Sequence, residues 1–174
     1  MGSTDLLQAF RNSLETLVKL TTEQVLPKWL ERALEKNGLV YPRFDRKWRP
    51  KPGGLCTLVT QSRSIHNFAR GYALTGDAQY LSALQRATDA LVHYFRDPAH
   101  GGWSWSCTPE GDVADASKNA YGHAFVAFAL VHAASQLDEP AYLTRAEETL
   151  ELTLQRFGDR HGGIIWWMSR EFQD

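Results

Sequence analysis

Arg63 lies in the stretch "TQSRSIHNFARGY", among positions that are otherwise largely apolar at helical spacing. An arginine buried there without a partner is costly, so two readings stand: a structural ion pair, or a holder for an anion or developing oxyanion. His66 follows one turn later, where it either orients Arg63 or serves as a hydrogen-bonded core histidine, the commoner role. His123 stands early in "YGHAFVAFALVHAAS", the most apolar stretch of the chain. A lone histidine in such a setting is more often a satisfied core residue than a catalytic one. Trp103 and Trp105 in "WSWSC" alternate as they would on one face of a strand. They form either a stacking platform for a sugar ring or, more commonly, a plug at the end of a core. Of the nearby carboxylates, Asp112 and Asp115 share one loop, and Asp115 or Ser117 is the expected cap of the next helix. No phosphate loop, dinucleotide fingerprint, HExxH or nucleophile-elbow motif is present.

Positioning these groups needs a scaffold, and composition bounds it. The 174 residues suffice for one domain, residues 1–174, with a real core. Lys and Arg number 19 against 20 acidic residues, for a formal net charge of −1, which argues against a nucleic-acid binder with a broad basic surface. No stretch is apolar enough to span a bilayer, and the N-terminus lacks a signal-peptide core, so a soluble, cytoplasmic protein is expected. Cys56 and Cys107 occur in unrelated sequence contexts with no zinc-ligand spacing. They read as reduced, buried thiols, and no metal site is expected.

The scaffold repeats. "HGGWSWS" from His100 returns as "HGGIIWW" from His161, and Tyr80, Leu81 and Phe95 recur 62 residues later as Tyr142, Leu143 and Phe157. Each copy has a helix with one apolar face, an aspartate, a His-Gly-Gly turn and a short aromatic strand-like run. Before each comes a helix apolar around most of its circumference, at "TLVTQSRSIHNFARGYAL" and "NAYGHAFVAFALVHAAS", which predicts packing on all sides. "WLERALEKNGLVYPRF" is a weaker third copy. Inner helices shielded by outer ones predict an all-α fold of helical hairpins, part of an (α/α) toroid, with short β-like runs in the loops. Glycines after the outer helices are expected as left-handed C-caps. By the repeat length, His123 falls opposite Gln61, so Arg63, Tyr121 and His123 share a depth near one end of two inner helices.

The pieces "TLVTQSRSIHNFARGYALTGDAQYL", "FRDPAHGGWSWSCTPEGDVADASKNAYGHAFVAFALVHAAS" and "DRHGG", in this order, resemble the N-acylglucosamine 2-epimerase superfamily, which includes mannose isomerases and cellobiose 2-epimerases. The resemblance runs from about Trp29 onward. It implies an (α/α) toroid of six hairpins, of which this chain would be the N-terminal half. It also implies proton transfer at C2 of an open-chain sugar, by 2-epimerisation or aldose–ketose isomerisation, with no metal or organic cofactor. On this resemblance Arg63 in "QSR" matches a catalytic-site arginine and Tyr121 in "YGHAF" a sugar-contacting tyrosine. His123, His66 and Trp103 join them as substrate-binding candidates, the two histidines looking more like the mannose-isomerase side. The superfamily's acid–base histidines and glutamate lie on later inner helices, the first in a motif like "QNxxMH". Nothing in this chain matches them, and His132 and His161 do not take their place. The chain alone is therefore expected to be inactive. Alternatives are a non-catalytic half-toroid that binds sugar or forms a homodimer over its open edge, and an (α/α)-toroid glycoside hydrolase. The last needs two carboxyls about 5–9.5 Å apart across a cleft, and Asp112 and Asp115 are local to one loop.

Overall fold

The computed structural model describes residues 3–173. The chain opens with a long helix in three pieces: α1 (Ser3–Leu20), a π-helical turn (Thr21–Val25) and α2 (Leu26–Arg32). Pro27 explains the turn. Its nitrogen cannot donate, and the ladder shifts register so that Leu26 N–H reaches the Thr21 carbonyl. Two helical hairpins follow, α3 (Leu58–Thr75) with α4 (Ala78–Phe95), and α5 (Ala120–Leu137) with α6 (Pro140–Phe157).

Local chemistry sets these boundaries. Thr57 caps α3 by accepting from Thr60 N–H, and Gly76 ends it in the left-handed region at φ 70°. Asp77 then caps α4 through Gln79 N–H, so the "TGD" turn stops one helix and starts the next. Asn119, rather than Asp115 or Ser117, caps α5 through Gly122 N–H at 2.9 Å. Asp115 instead accepts from Ser117 N–H at 2.9 Å, closing an Asx turn just upstream. Asp138 ends α5 at φ 52°, and Glu139 and Pro140 start α6.

Helices α3 and α5 pack side by side as an inner layer, with α4 against α3 and α6 against α5 outside them. Leu58, Ile65, Phe68, Leu84, Leu91, Phe95, Val126 and Leu130 fill the space between the layers. The inner helix α5 is packed on three sides rather than all round. Tyr121, Phe128 and Val131 remain 42–43% exposed along its fourth side. On α1, Leu6, Leu7, Phe10, Leu14 and Leu17 form an apolar stripe at helical spacing that is 50–66% exposed.

The loops carry the repeat. Isolated antiparallel bridges Leu34–Val40, Arg96–Trp103 and Gly158–Ile164 close the three outer-helix turns, and their first residues recur every 62 positions. The Gly-Gly pairs do not cap the outer helices, since Arg96 and Gly158 at those ends are extended. They close aspartate-headed turns. Asp97 accepts from Ala99 and His100 N–H, and Asp159 accepts from His161 and Gly163 N–H. Short strands continue from these turns: β1 (Cys56–Thr57), β2 (Ser106–Cys107) and β3 (Val113–Asp115) form one antiparallel sheet, and β4 (Lys118–Asn119) pairs with β5 (Trp167–Met168). All lie at the end of the bundle where α3 and α5 begin.

Candidate functional site

Helices α3 and α5 each leave one stripe uncovered on the side away from α4 and α6. The stripes adjoin. Arg63 on α3 lies over the Phe125 ring at 5.8 Å, and His66 meets Phe128 at 4.7 Å and His132 at 4.5 Å between ring centroids. Spacings of three and four residues place Tyr121, Phe125, Phe128 and His132 along one face of α5. Tyr121 contacts Phe125 edge-to-face at 4.7 Å and stacks on Trp166 at 5.5 Å and 28°. Trp167 packs against Trp105 at 4.9 Å beside them. The result is a polar and aromatic wall assembled from α3, α5 and the loop entering β5.

Arg63 is exposed, and among the described residues no carboxylate lies within ion-pair distance of it. The described residues thus supply it no ion pair, and the guanidinium keeps donors available. His66 is not a satisfied core histidine either, because its Nδ1 is buried without a hydrogen-bond partner. Burial, helped by His132 and Arg70, lowers its pKa and favours the neutral ring. His132 is lowered in the same direction by burial and Arg70.

The other two sequence candidates go elsewhere. His123 is fully buried on the opposite side of α5, packed between Phe157 and Phe172. Its Nδ1 donates to the Asn119 carbonyl at 2.9 Å, which leaves Nε2 to accept from Trp103 N–H at 3.1 Å. Burial pushes its pKa down to about 4, so it stays neutral. Trp103 is 3% exposed and donates from Nε1 to Thr149 Oγ1 at 3.1 Å on α6, so it plugs the core and offers no face for stacking. Gly102 sits at φ +67° against His123, where a Cβ would collide with the imidazole; this glycine is fixed by both conformation and contact. Depth along the helix was the wrong criterion for His123. Residues 121 and 123 are about 200° apart around the axis.

Phe125, Phe128, Trp166 and Arg70 were not singled out from the sequence. The three- and four-residue spacing from Tyr121 to His132 was the available signal. A shallow apolar concavity of about 330 Å³ lined by Tyr121, Ala124, Phe125 and Phe128 marks the centre of the wall. A larger one of about 570 Å³ lies between α2 and α4 on the outer layer, far from Arg63 and the aromatic wall. The chemistry follows the smaller concavity. Its aromatic faces suit the C–H face of a sugar ring, and Arg63 suits an oxygen that gains negative charge. Asp112 and Asp115 stay together in and beside β3, so they do not face each other across a cleft. Among the described residues no group of three or more metal-ligating side chains is placed to hold an ion, and no helix is long and apolar enough to cross a membrane.

The same fold occurs in known proteins. Cellobiose 2-epimerase from Dictyoglomus turgidum is 29% identical over 134 residues, covering 76% of this chain and 32% of that protein. The structure of cellobiose 2-epimerase from Spirochaeta thermophila superposes with a TM-score of 0.88 at 28% identity, covering 95% of this chain and 41% of that one. A D-mannose isomerase structure shares the fold, with a TM-score of 0.83 at 23% identity over 91% of this chain and 41% of that one. The chain thus spans about a third of its curated relative and about two-fifths of its structural relatives, and its hairpins are part of an (α/α) toroid. Residues 38–173 match the family model for N-acylglucosamine 2-epimerase (GlcNAc 2-epimerase), and the chain belongs to that family.

Proposed function

We propose that this chain supplies one wall of a sugar site for 2-epimerisation or aldose–ketose isomerisation, and that it turns over nothing by itself. The observation that carries this reading is the free guanidinium of Arg63 on the same face as Tyr121 and Trp166. In an open-chain sugar the carbonyl acidifies the C2 proton. Removal of that proton puts charge on the carbonyl oxygen, and a preorganised arginine stabilises it. Tyr121 and Trp166 hold the carbon chain by stacking, and His66 lines the site as a neutral ring. His123 and Trp103 act at one remove, by fixing the loop that leads from α4 to β2. The base that moves the proton is not assigned to this chain, because His66 and His132 lie side by side on the same wall as Arg63.

The same reading accounts for the uncovered apolar stripes, with Leu143, Leu150 and Leu154 of α6 exposed as well as the α1 stripe. Faces this apolar favour burial against another polypeptide, and a homodimer closed by two-fold symmetry is the simplest assembly of this chain alone. A sugar-binding wall without catalysis needs nothing more. The hydrolase reading draws no support from Asp112 and Asp115, which stay in one loop.

One sample tests these points. The chain is incubated with cellobiose or D-mannose in heavy water, and proton NMR follows both the sugar C2 signal and the tryptophan indole signals. The expected result is a shift of the Trp166 indole on sugar addition, weakened by Arg63→Ala, with no exchange at C2. Exchange at C2 would overturn the inactivity, and unmoved indoles would overturn the binding wall. Sedimentation of the same sample checks the dimer, which a monomer at high dilution would rule out.

A further inference from the structure

Cys56 and Cys107 belong to different repeats, yet pairing of β1 with β2 sets them directly opposite one another in antiparallel register. Leu58 N–H donates to the Trp105 carbonyl at 2.9 Å, which makes 58/105 a hydrogen-bonded pair. Such pairs alternate along an antiparallel ladder, so 56/107 is of the same kind, with Cα atoms about 5.5 Å apart. Disulfides use Cα separations of roughly 4.4–6.8 Å, and directly opposed residues project from the same face of the sheet. The two cysteines face one another across the ladder, and Cys56 donates to the Val40 carbonyl at 3.5 Å. Both are free cysteines.

We infer that Cys56 and Cys107 form a dithiol redox site, oxidised to an intramolecular disulfide by exchange with a small-molecule disulfide such as oxidised glutathione. Cys56 is the attacking group. The Cys107 contact lowers its pKa, whereas the same contact and burial raise that of Cys107. The Cys56 thiolate attacks one glutathione sulfur, forming a mixed disulfide and expelling one glutathione thiolate. Cys107 then loses its proton and attacks Cys56 Sγ, expelling the second glutathione. Two protein thiols and one oxidised glutathione become one protein disulfide and two reduced glutathiones, so electrons and protons balance.

Both sulfurs are buried, so the reaction begins with a local opening. The fold provides a weak point. β1 has only two residues, and the segment 51–55 before it is exposed, with Gly53 and Gly54 both at positive φ. Lifting β1 uncovers Cys56 before Cys107, which also pairs through β2 with β3. Once formed, the bond ties the entry of α3, and with it Arg63 and His66, to the loop of the next repeat.

The test equilibrates the protein in a series of reduced and oxidised glutathione ratios, then traps free thiols by alkylation under denaturing conditions. Unreduced peptide maps read the product. The expected result is paired loss of both thiols, a Cys56–Cys107 linked peptide, and a thermal midpoint raised by roughly 5–15 °C and restored by dithiothreitol. Cys107→Ser should stop at glutathione on Cys56, and Cys56→Ser should stay unmodified. Two alkylatable thiols at every ratio, or a glutathione adduct without cross-linking in the wild type, would overturn the site. Glutathione captured by Cys107 in Cys56→Ser would overturn the order of attack. The wild-type map decides the main point whether or not the serine variants fold.

Discussion

The inner wall and the loop end of the bundle hold similar residues in opposite conditions. On the wall, Arg63 has no carboxylate partner among the described residues, and His66 has an unpartnered Nδ1. At the loop end, the buried charges Asp97 and Lys118 answer each other. Asp97 is 3% exposed and accepts from the buried Lys118 at 2.9 Å and from Arg170 Nε at 2.8 Å. His123 uses both ring nitrogens. The difference separates residues whose polar groups are spent on the fold from residues whose polar groups are left open. Charge or histidine content alone does not make that distinction; the state of the hydrogen bonds does.

Removing an answer at the loop end should have the largest effect. Asp97→Asn would leave Lys118 fully buried without its counter-ion, a defect of about 3–5 kcal/mol. Adding Lys118→Met to Asp97→Asn should recover part of the loss, because the orphaned charge then disappears. Urea unfolding of the four members of this cycle measures the coupling. If Asp97→Asn unfolds within about 1 kcal/mol (about a fivefold step) of the wild type, the network is not what pins the C-terminal loop to the Gly-Gly turn.

Acid should separate the two regions next. His123 has a folded pKa of about 4, below the value of about 6.5 for a free imidazole. The unfolded chain therefore binds a proton that the folded chain refuses. Stability from this group is complete above about pH 6.5 and falls as pH drops towards 4, by up to about 3 kcal/mol. Asp97 acts in the same direction at lower pH. Arg170 and Lys118 hold its carboxyl well below the ordinary range, so its contribution fades only as pH falls below about 4. Thermal midpoints from pH 7 to 4 should decline in the wild type and decline less in His123→Gln, whose side chain does not titrate. Equal slopes would move the acid sensitivity to another group.

Much of this architecture is legible in the sequence, and the reasons mark where reading stops. The 62-residue recurrence locates both hairpins and the bridges at Leu34, Arg96 and Gly158, because periodic apolar residues and turn glycines are local signals. Burial is not local. Helices α4 and α6 share one repeat, yet Thr88 is buried and Val92 half-buried on α4, whereas their counterparts Leu150 and Leu154 on α6 stay exposed. The reason is that α4 touches both inner helices, and α6 packs against α5. Direction around a helix is also lost when only depth is counted, which is how His123 and Tyr121 came to be grouped. The opposition of Cys56 and Cys107 depends on strand register between two loops, which neither sequence context contains. Arg63 shows the converse. Its position in the chain left ion pair and oxyanion holder equally open, and the described residues place no carboxylate beside it.

The smallest expected effect on stability falls on the wall. Arg63 and Tyr121 are exposed, and their neighbours are rings whose packing survives without them. Arg63→Ala and Tyr121→Phe should each change unfolding stability by no more than about 0.5 kcal/mol, the usual range for surface positions. Tyr121→Phe keeps the stack on Trp166 and removes only the hydroxyl, so any loss of sugar response reports a hydrogen bond rather than a platform. Arg63→Lys sharpens the other half of the question. A point charge replaces a planar fork of five donors, so a site needing only charge should be largely rescued, and a site needing two aligned donors should not. Should any of these substitutions destabilise the fold as Asp97→Asn does, the wall is structural after all, because a residue kept free for a ligand leaves nothing unsatisfied when it is removed.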